Sequence, residues 1–244
     1  MKKLVKAIIG KRLYGSITQS IITKSIQKVV DKTHNNKGGY TAQSAIDLLF
    51  APEAKYIRPW QHIPEILEVA KLIDERKPKT ILEIGTASGG TLFLSALLAD
   101  PSALIVSIDL QYGMYGGGYP DWKIPLYKSF KQHNQQIELI QGDSHSAEIH
   151  EQLRKVLNGR KIDYLFIDGD HTYDGVKQDF EVYSQFLSDD AFVSFHDIVS
   201  DKAPVPDHFV SVYWNDIKGN YPHKEFIQDP NQNKLGLGVL FVKK

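Results

Sequence analysis

Two short blocks carry the side chains best suited to chemistry: Asp168-Gly169-Asp170-His171 and His196-Asp197. Three carboxylates and two imidazoles can move a proton near neutral pH, or they can hold a divalent cation. A third block, Glu83-Ile84-Gly85-Thr86-Ala87-Ser88-Gly89-Gly90, does a different kind of work. Glycines there permit a tight turn and the close approach of a ligand to backbone N–H groups at the start of a helix. Asp109 ends an apolar run and can accept the two hydroxyls of a ribose; Asp143-Ser144 ends another and can meet the edge of a base. Each acid also has a plainer use, Asp109 as a strand-end turn former and Asp143 as a helix N-cap. Their recurrence at three successive strand ends favours one shared ligand.

The elements that must position these groups follow a simple alternation. Strand-like runs lie at 80–84, 104–109, 137–141, 164–168 and 191–195, and helical stretches at 91–99, 127–133, 147–157 and 175–187 separate them. A helix from Pro64 to Arg76 precedes the first strand and stops before Lys77-Pro78. Alternating strands and helices predict βαβ units and a parallel sheet with ligands beyond its carboxyl edge. After a helix near 208–218, the runs 224–228 and 238–242 have no helix between them and predict an antiparallel hairpin. The expected fold class is α/β, a Rossmann-like doubly wound sheet of five parallel strands plus this C-terminal hairpin. Glu83 then separates the cofactor classes. A carboxylate two residues before the first glycine faces badly against a dinucleotide pyrophosphate. It suits the ammonium of S-adenosylmethionine (SAM), with the loop amides left for the SAM carboxylate.

The segments EIGTASGG, VSIDL, QGDS, FIDGDHTYDGVKQDF and FHDI together resemble the SAM-dependent O-methyltransferases that include macrolide-sugar methyltransferases and cephalosporin-hydroxylase-type proteins. The likeness covers roughly residues 56–200. It implies the class I methyltransferase fold and methyl transfer to a small hydroxylated acceptor such as a sugar, glycan precursor or natural product. It makes Glu83, Gly85, Thr86, Gly89, Asp109, Asp143 and Ser144 the expected cofactor contacts. It also implies that Asp168 is a metal ligand and His171 the base, with Asp168, His196 and Asp197 as the metal set. Where the family has an acidic pair, this chain has His196 before Asp197. Magnesium prefers oxygen donors, whereas an imidazole shifts the preference toward manganese, iron or zinc. Two other readings stay open: a nicotinamide-dependent Rossmann enzyme, which Glu83 opposes, and a non-catalytic SAM-binding scaffold subunit.

The insertion from Gln111 to Trp122, with three consecutive glycines and three tyrosines, is expected to be a lid or a plain flexible loop. Tyr112, Tyr115 and Trp60 are the candidate substrate contacts. His145 and His150 are read as surface residues.

Composition limits the alternatives. The chain has no cysteine, which excludes disulfides, thiolate zinc sites and thiol nucleophiles. Its 29 basic and 29 acidic residues argue against a broad nucleic-acid footprint. No run reaches the length of a membrane span, and Lys6 splits the apolar start, so neither a spanning segment nor a signal peptide is expected. A cytoplasmic protein, or one peripheral to a membrane, fits. Residues 1–40 form a separate expectation, a basic amphipathic arm and linker ahead of a methyltransferase domain at 41–244. Apolar residues recur at Val5, Ile9, Leu13, Ile17 and Ile21 and again at Ile22, Ile26 and Val30, with Gly10 and Gly15 expected to interrupt the helix. The arm suits packing on the body or a partner copy, contact with a membrane surface, or a loose tail.

Overall fold

A computed structural model of the 244-residue chain describes residues 2–36, 38–113, 117–199 and 209–243, with side chains from Gly15 onward. Seven strands form one sheet in the order β3-β2-β1-β4-β5-β7-β6. They are β1 (Thr80–Ile84), β2 (Leu104–Asp109), β3 (Gln136–Gln141), β4 (Ile162–Ile167), β5 (Leu187–His196), β6 (His223–Phe226) and β7 (Leu237–Phe241). The first five are mutually parallel where they pair, and β7 lies antiparallel between β5 and β6. Every residue of β1 and β2 is buried, as expected for strands covered by helices on both faces.

Helices α1 (Lys2–His34), α2 (Ala42–Leu49), α3 (Ile63–Arg76), α4 (Gly90–Leu98) and α5 (Ile124–Lys128) belong to one side of the sheet. Helices α6 (Ala147–Leu157), α7 (Tyr173–Tyr183) and α8 (Val210–Ile217) belong to the other. Two apolar clusters record this division: Ile46, Val69, Phe93 and Tyr127 lie in the first, and Leu153, Phe180 and Trp214 in the second. The chain leaves β1 toward β2 and β3, then returns to lay β4 on the opposite side of β1. The edge between β1 and β4 is therefore the switch point where a crevice opens.

Local chemistry accounts for the boundaries. Pro64 sits in the first turn of α3, and Lys77 ends that helix in a left-handed conformation (φ 46°) just before Pro78. A capping box between Thr41 and Ser44 starts α2. Two expectations need correction. Helix α1 runs through Gly10 and Gly15 without a break; an isolated glycine costs a helix only about 1 kcal/mol. The helix expected at 127–133 lies earlier, at Ile124–Lys128, where Pro125 in the first turn starts it. The last part of the arm packs on the body. Ile26, Val29 and Val30 are buried in the same cluster as Ala45 and Ile46, whereas Ile17 and Ile21 are about half exposed. Among the described residues no helix is long and apolar enough to cross a membrane.

Candidate active site

The first turn is shaped by what surrounds it. Gly85 and Gly89 adopt positive φ of 94° and 86°. A Cβ on Gly85 would lie 2.0 Å from the Asp168 carbonyl oxygen, so the residue lets the ends of β1 and β4 close on each other. A Cβ on Gly89 would meet the Tyr127 ring at 2.9 Å. Asp109 occupies the far side of the turn. Its Oδ2 accepts hydrogen bonds from the Thr86 and Ala87 amides at 2.9 and 2.6 Å. Burial raises its carboxyl above the ordinary value, while the amides of Ala87, Gly118, Thr86 and Leu110 hold it down.

Glu83 stands at the end of β1, beneath the turn. It is 2% exposed, and its carboxylate accepts from the hydroxyls of Ser107 and Thr91. Burial pushes it up to about 8. Glu83 lines neither of the two cavities at the sheet edge. It ties β1 to β2 and α4 beneath the turn.

The smaller cavity, about 200 Å³, is lined by Gly85, Asp109, Asp143, Ser144 and His145. The larger, about 510 Å³, is lined by Trp60, Gly85, Thr86, Asp109, Lys123, Asp168, His171, His196 and Asp197. They adjoin at Gly85, Asp109, Gly117 and Gly169. The helix-cap role considered for Asp143 belongs to Ser146, whose hydroxyl accepts from the Ile149 amide. Trp60 stands 88% exposed at the rim of the larger cavity. Tyr112 is 92% exposed and lines neither cavity. Tyr115 lies outside the described residues.

The carboxylate–imidazole cluster forms because β5 stops at the right residue. Successive side chains on a strand point to opposite faces, but β5 ends at His196 and Asp197 turns to φ 62°. Both side chains therefore reach the end of β4. His196 Nδ1 lies 3.0 Å from Asp168 Oδ1 and 3.5 Å from Asp197 Oδ2. His171 Nε2 lies 3.3 Å from Asp168 Oδ1, and its Nδ1 lies 3.6 Å from Asp197 Oδ2. Burial works against both imidazolium forms, yet Asp168 and Asp197 outweigh it and raise both histidines. The donor atoms of Asp168, His171 and Asp197 all come within 4.8 Å of one another, a spacing that suits one cation. The three-residue set thus contains His171 in place of the expected His196, which stands beside Asp168 as its hydrogen-bond partner.

Three further residues were not expected. His145, read as surface, points Nε2 at the buried Asp179 carboxylate 3.2 Å away, and that contact raises it to about 9. His150 is likewise engaged, its Nε2 lying 2.7 Å from the Ser144 carbonyl oxygen. Lys123 directly follows the Gln111–Trp122 insertion and lines the larger cavity. Asp179 sits 34 positions from His145, too far for any local pattern to pair them.

The sheet order, the glycine turn and the acid at the end of β2 define the class I methyltransferase fold. Residues 82–198 match a family model described as a methyltransferase domain. An uncharacterized protein, R132 of Acanthamoeba polyphaga mimivirus, is 31% identical over 132 residues, 54% of this chain and 57% of that protein. Protein y4gI of Sinorhizobium fredii, also uncharacterized, is 28% identical over 185 residues, 71% of this chain and 18% of that protein. The chain thus spans little more than half of the first relative and less than a fifth of the second. Among solved structures, the Streptomyces achromogenes O-methyltransferase TomG, involved in tomaymycin synthesis and bound to SAM, superposes with a TM-score of 0.58 at 17% identity. That match covers 84% of this chain and 90% of TomG. A Bacillus cereus O-methyltransferase in complex with S-adenosylhomocysteine (SAH) matches at 0.55 and 16%, over 89% of this chain and 96% of that one.

Proposed function

We propose that this protein transfers the methyl group of SAM to a hydroxyl oxygen of a small acceptor. The observation that carries the reading is the joining of two cavities at Asp109 and Gly85, with the carboxylate–imidazole cluster at one wall of the larger. The smaller cavity suits the adenosine half, its ribose against Asp109 and its base near Asp143 and Ser144. The larger has room for the methionine half and the acceptor. The reaction is an in-line displacement at a sulfonium carbon, so holding the acceptor oxygen opposite the sulfur supplies much of the rate. The acceptor must also lose its proton. His171 takes it, and the imidazolium that results lies between the carboxylates of Asp168 and Asp197. Trp60 at the rim offers a flat apolar surface to the acceptor.

A divalent cation fits Asp168, Asp197 and one imidazole nitrogen of His171. Bound there it would act as a Lewis acid that lowers the acceptor pKa. A mixed oxygen and nitrogen set leans toward manganese or iron over magnesium. The test is SAH formation by the full chain, incubated with SAM and a panel of hydroxylated sugars and phenols, before and after EDTA. We expect turnover with at least one acceptor, falling about 10²–10⁴-fold in His171→Ala while SAM binding is kept. Activity that persists in EDTA assigns the proton to His171 alone; recovery only on adding back metal assigns the cluster to a cation. Full activity in both EDTA and His171→Ala contradicts the mechanism.

A further inference from the structure

The SAM carboxylate needs a partner, and the glycine turn has little to offer it. The Thr86 and Ala87 amides are given to Asp109, the Gly85 amide to the Ile108 carbonyl and the Gly89 amide to the Thr86 carbonyl. The start of α4 is covered as well, since a Cβ on Gly90 would lie 2.4 Å from the Ile57 carbonyl and 2.6 Å from Pro59 Cδ. The anion cradle that a glycine turn and helix start often form is therefore largely spent within the protein.

A cation stands next to it. Lys123 lines the larger cavity, its Nζ 3.2 Å from the Tyr127 hydroxyl, which in turn donates to the Ala87 carbonyl at 3.1 Å. Its ammonium also lies over the Trp122 and Tyr127 rings, which fix its position. Among the described residues no carboxylate is within ion-pair distance of it. We propose that Lys123 is the anchor for the carboxylate of SAM's methionine half, a role that rests on the SAM-binding reading above. The alternative source of a carboxylate is an acidic acceptor. The topology favours SAM: Lys123 follows β2, on the glycine-turn side, whereas the cluster that would face the acceptor lies beyond β4 and β5. Burial lowers the lysine's affinity for its proton, which fits a group awaiting an anion.

Calorimetric titration of the full chain compares SAM, SAH and 5′-methylthioadenosine, which keeps the nucleoside and sulfur but lacks the amino-acid end. Wild-type protein that binds no SAM would defeat the functional reading itself. If wild type binds SAM, Lys123→Met should weaken SAM and SAH by at least about tenfold. It should leave 5′-methylthioadenosine unchanged, and Lys123→Arg should restore most of the SAM affinity. Wild-type SAM affinity in Lys123→Met overturns the proposal. An equal loss for 5′-methylthioadenosine overturns it too, because the lysine would then be supporting the cavity and not the carboxylate.

Discussion

Glu83 shows how one carboxylate can be structural beneath a candidate cofactor site. With two hydroxyl donors and almost no exposure, it is cheaper to keep as an acid than as an anion. In the unfolded chain it ionises near 4.5, and in the folded protein near 8. Between those values the folded state holds one proton more than the unfolded state, so this group makes stability fall as pH rises, levelling off above about 8. Glu83→Gln cannot ionise and should escape the fall. Urea unfolding of both proteins at pH 5 and pH 8.5 checks this; the variant should gain on wild type at the higher pH, and an unchanged difference would contradict the account. The sequence made Glu83 visible as special but did not show the two hydroxyls that hold its carboxylate. Alternation along a strand tells which face a side chain takes, not whether neighbouring hydroxyls such as Ser107 and Thr91 will capture it. His145 was missed for a related reason, since its partner Asp179 arrives from a distant helix.

Helix α1 changes character along its length. Ile26 is 1% exposed within the first apolar cluster, whereas Ile17 is 52% exposed. Ile26→Ala should therefore cost about 2–5 kcal/mol, the range for emptying a packed core site. Ile17→Ala should stay within about 0.5 kcal/mol, as surface changes do. Equal unfolding midpoints for the two variants would mean that the arm does not pack as described. The strands were the most legible elements, because buried parallel strands are short apolar runs bounded by glycines and acids. The ends of β1 and β2 fall at Ile84 and Asp109, where the apolar runs stop. Helix α5 was misplaced because Tyr127 and Phe130 stand at helical spacing across Lys128, while Pro125 decides where it starts.

At the scale of the whole molecule, the sheet order brings the ends of β1, β2, β3, β4 and β5 to two adjoining cavities. β2 and β3 carry Asp109 and Asp143 on one side of the switch point, and β4 and β5 carry the reactive cluster on the other. A molecule spanning both cavities must pass Gly85 and Asp109, where they meet. SAM has the right parts in the right order: a base, a ribose, a sulfonium and an amino acid. The chain's balanced charge, 29 of each sign, leaves recognition to these local contacts and not to a general field.

The most direct measurement is a calorimetric titration of SAM, and separately of NAD, into the wild-type chain and an Asp109→Ala variant whose folding is checked by circular dichroism. The account predicts one SAM site per wild-type chain, no comparable binding of NAD, and SAM affinity at least about tenfold weaker in the folded variant. No heat with SAM, or a folded Asp109→Ala protein that binds SAM as tightly as wild type, would contradict it.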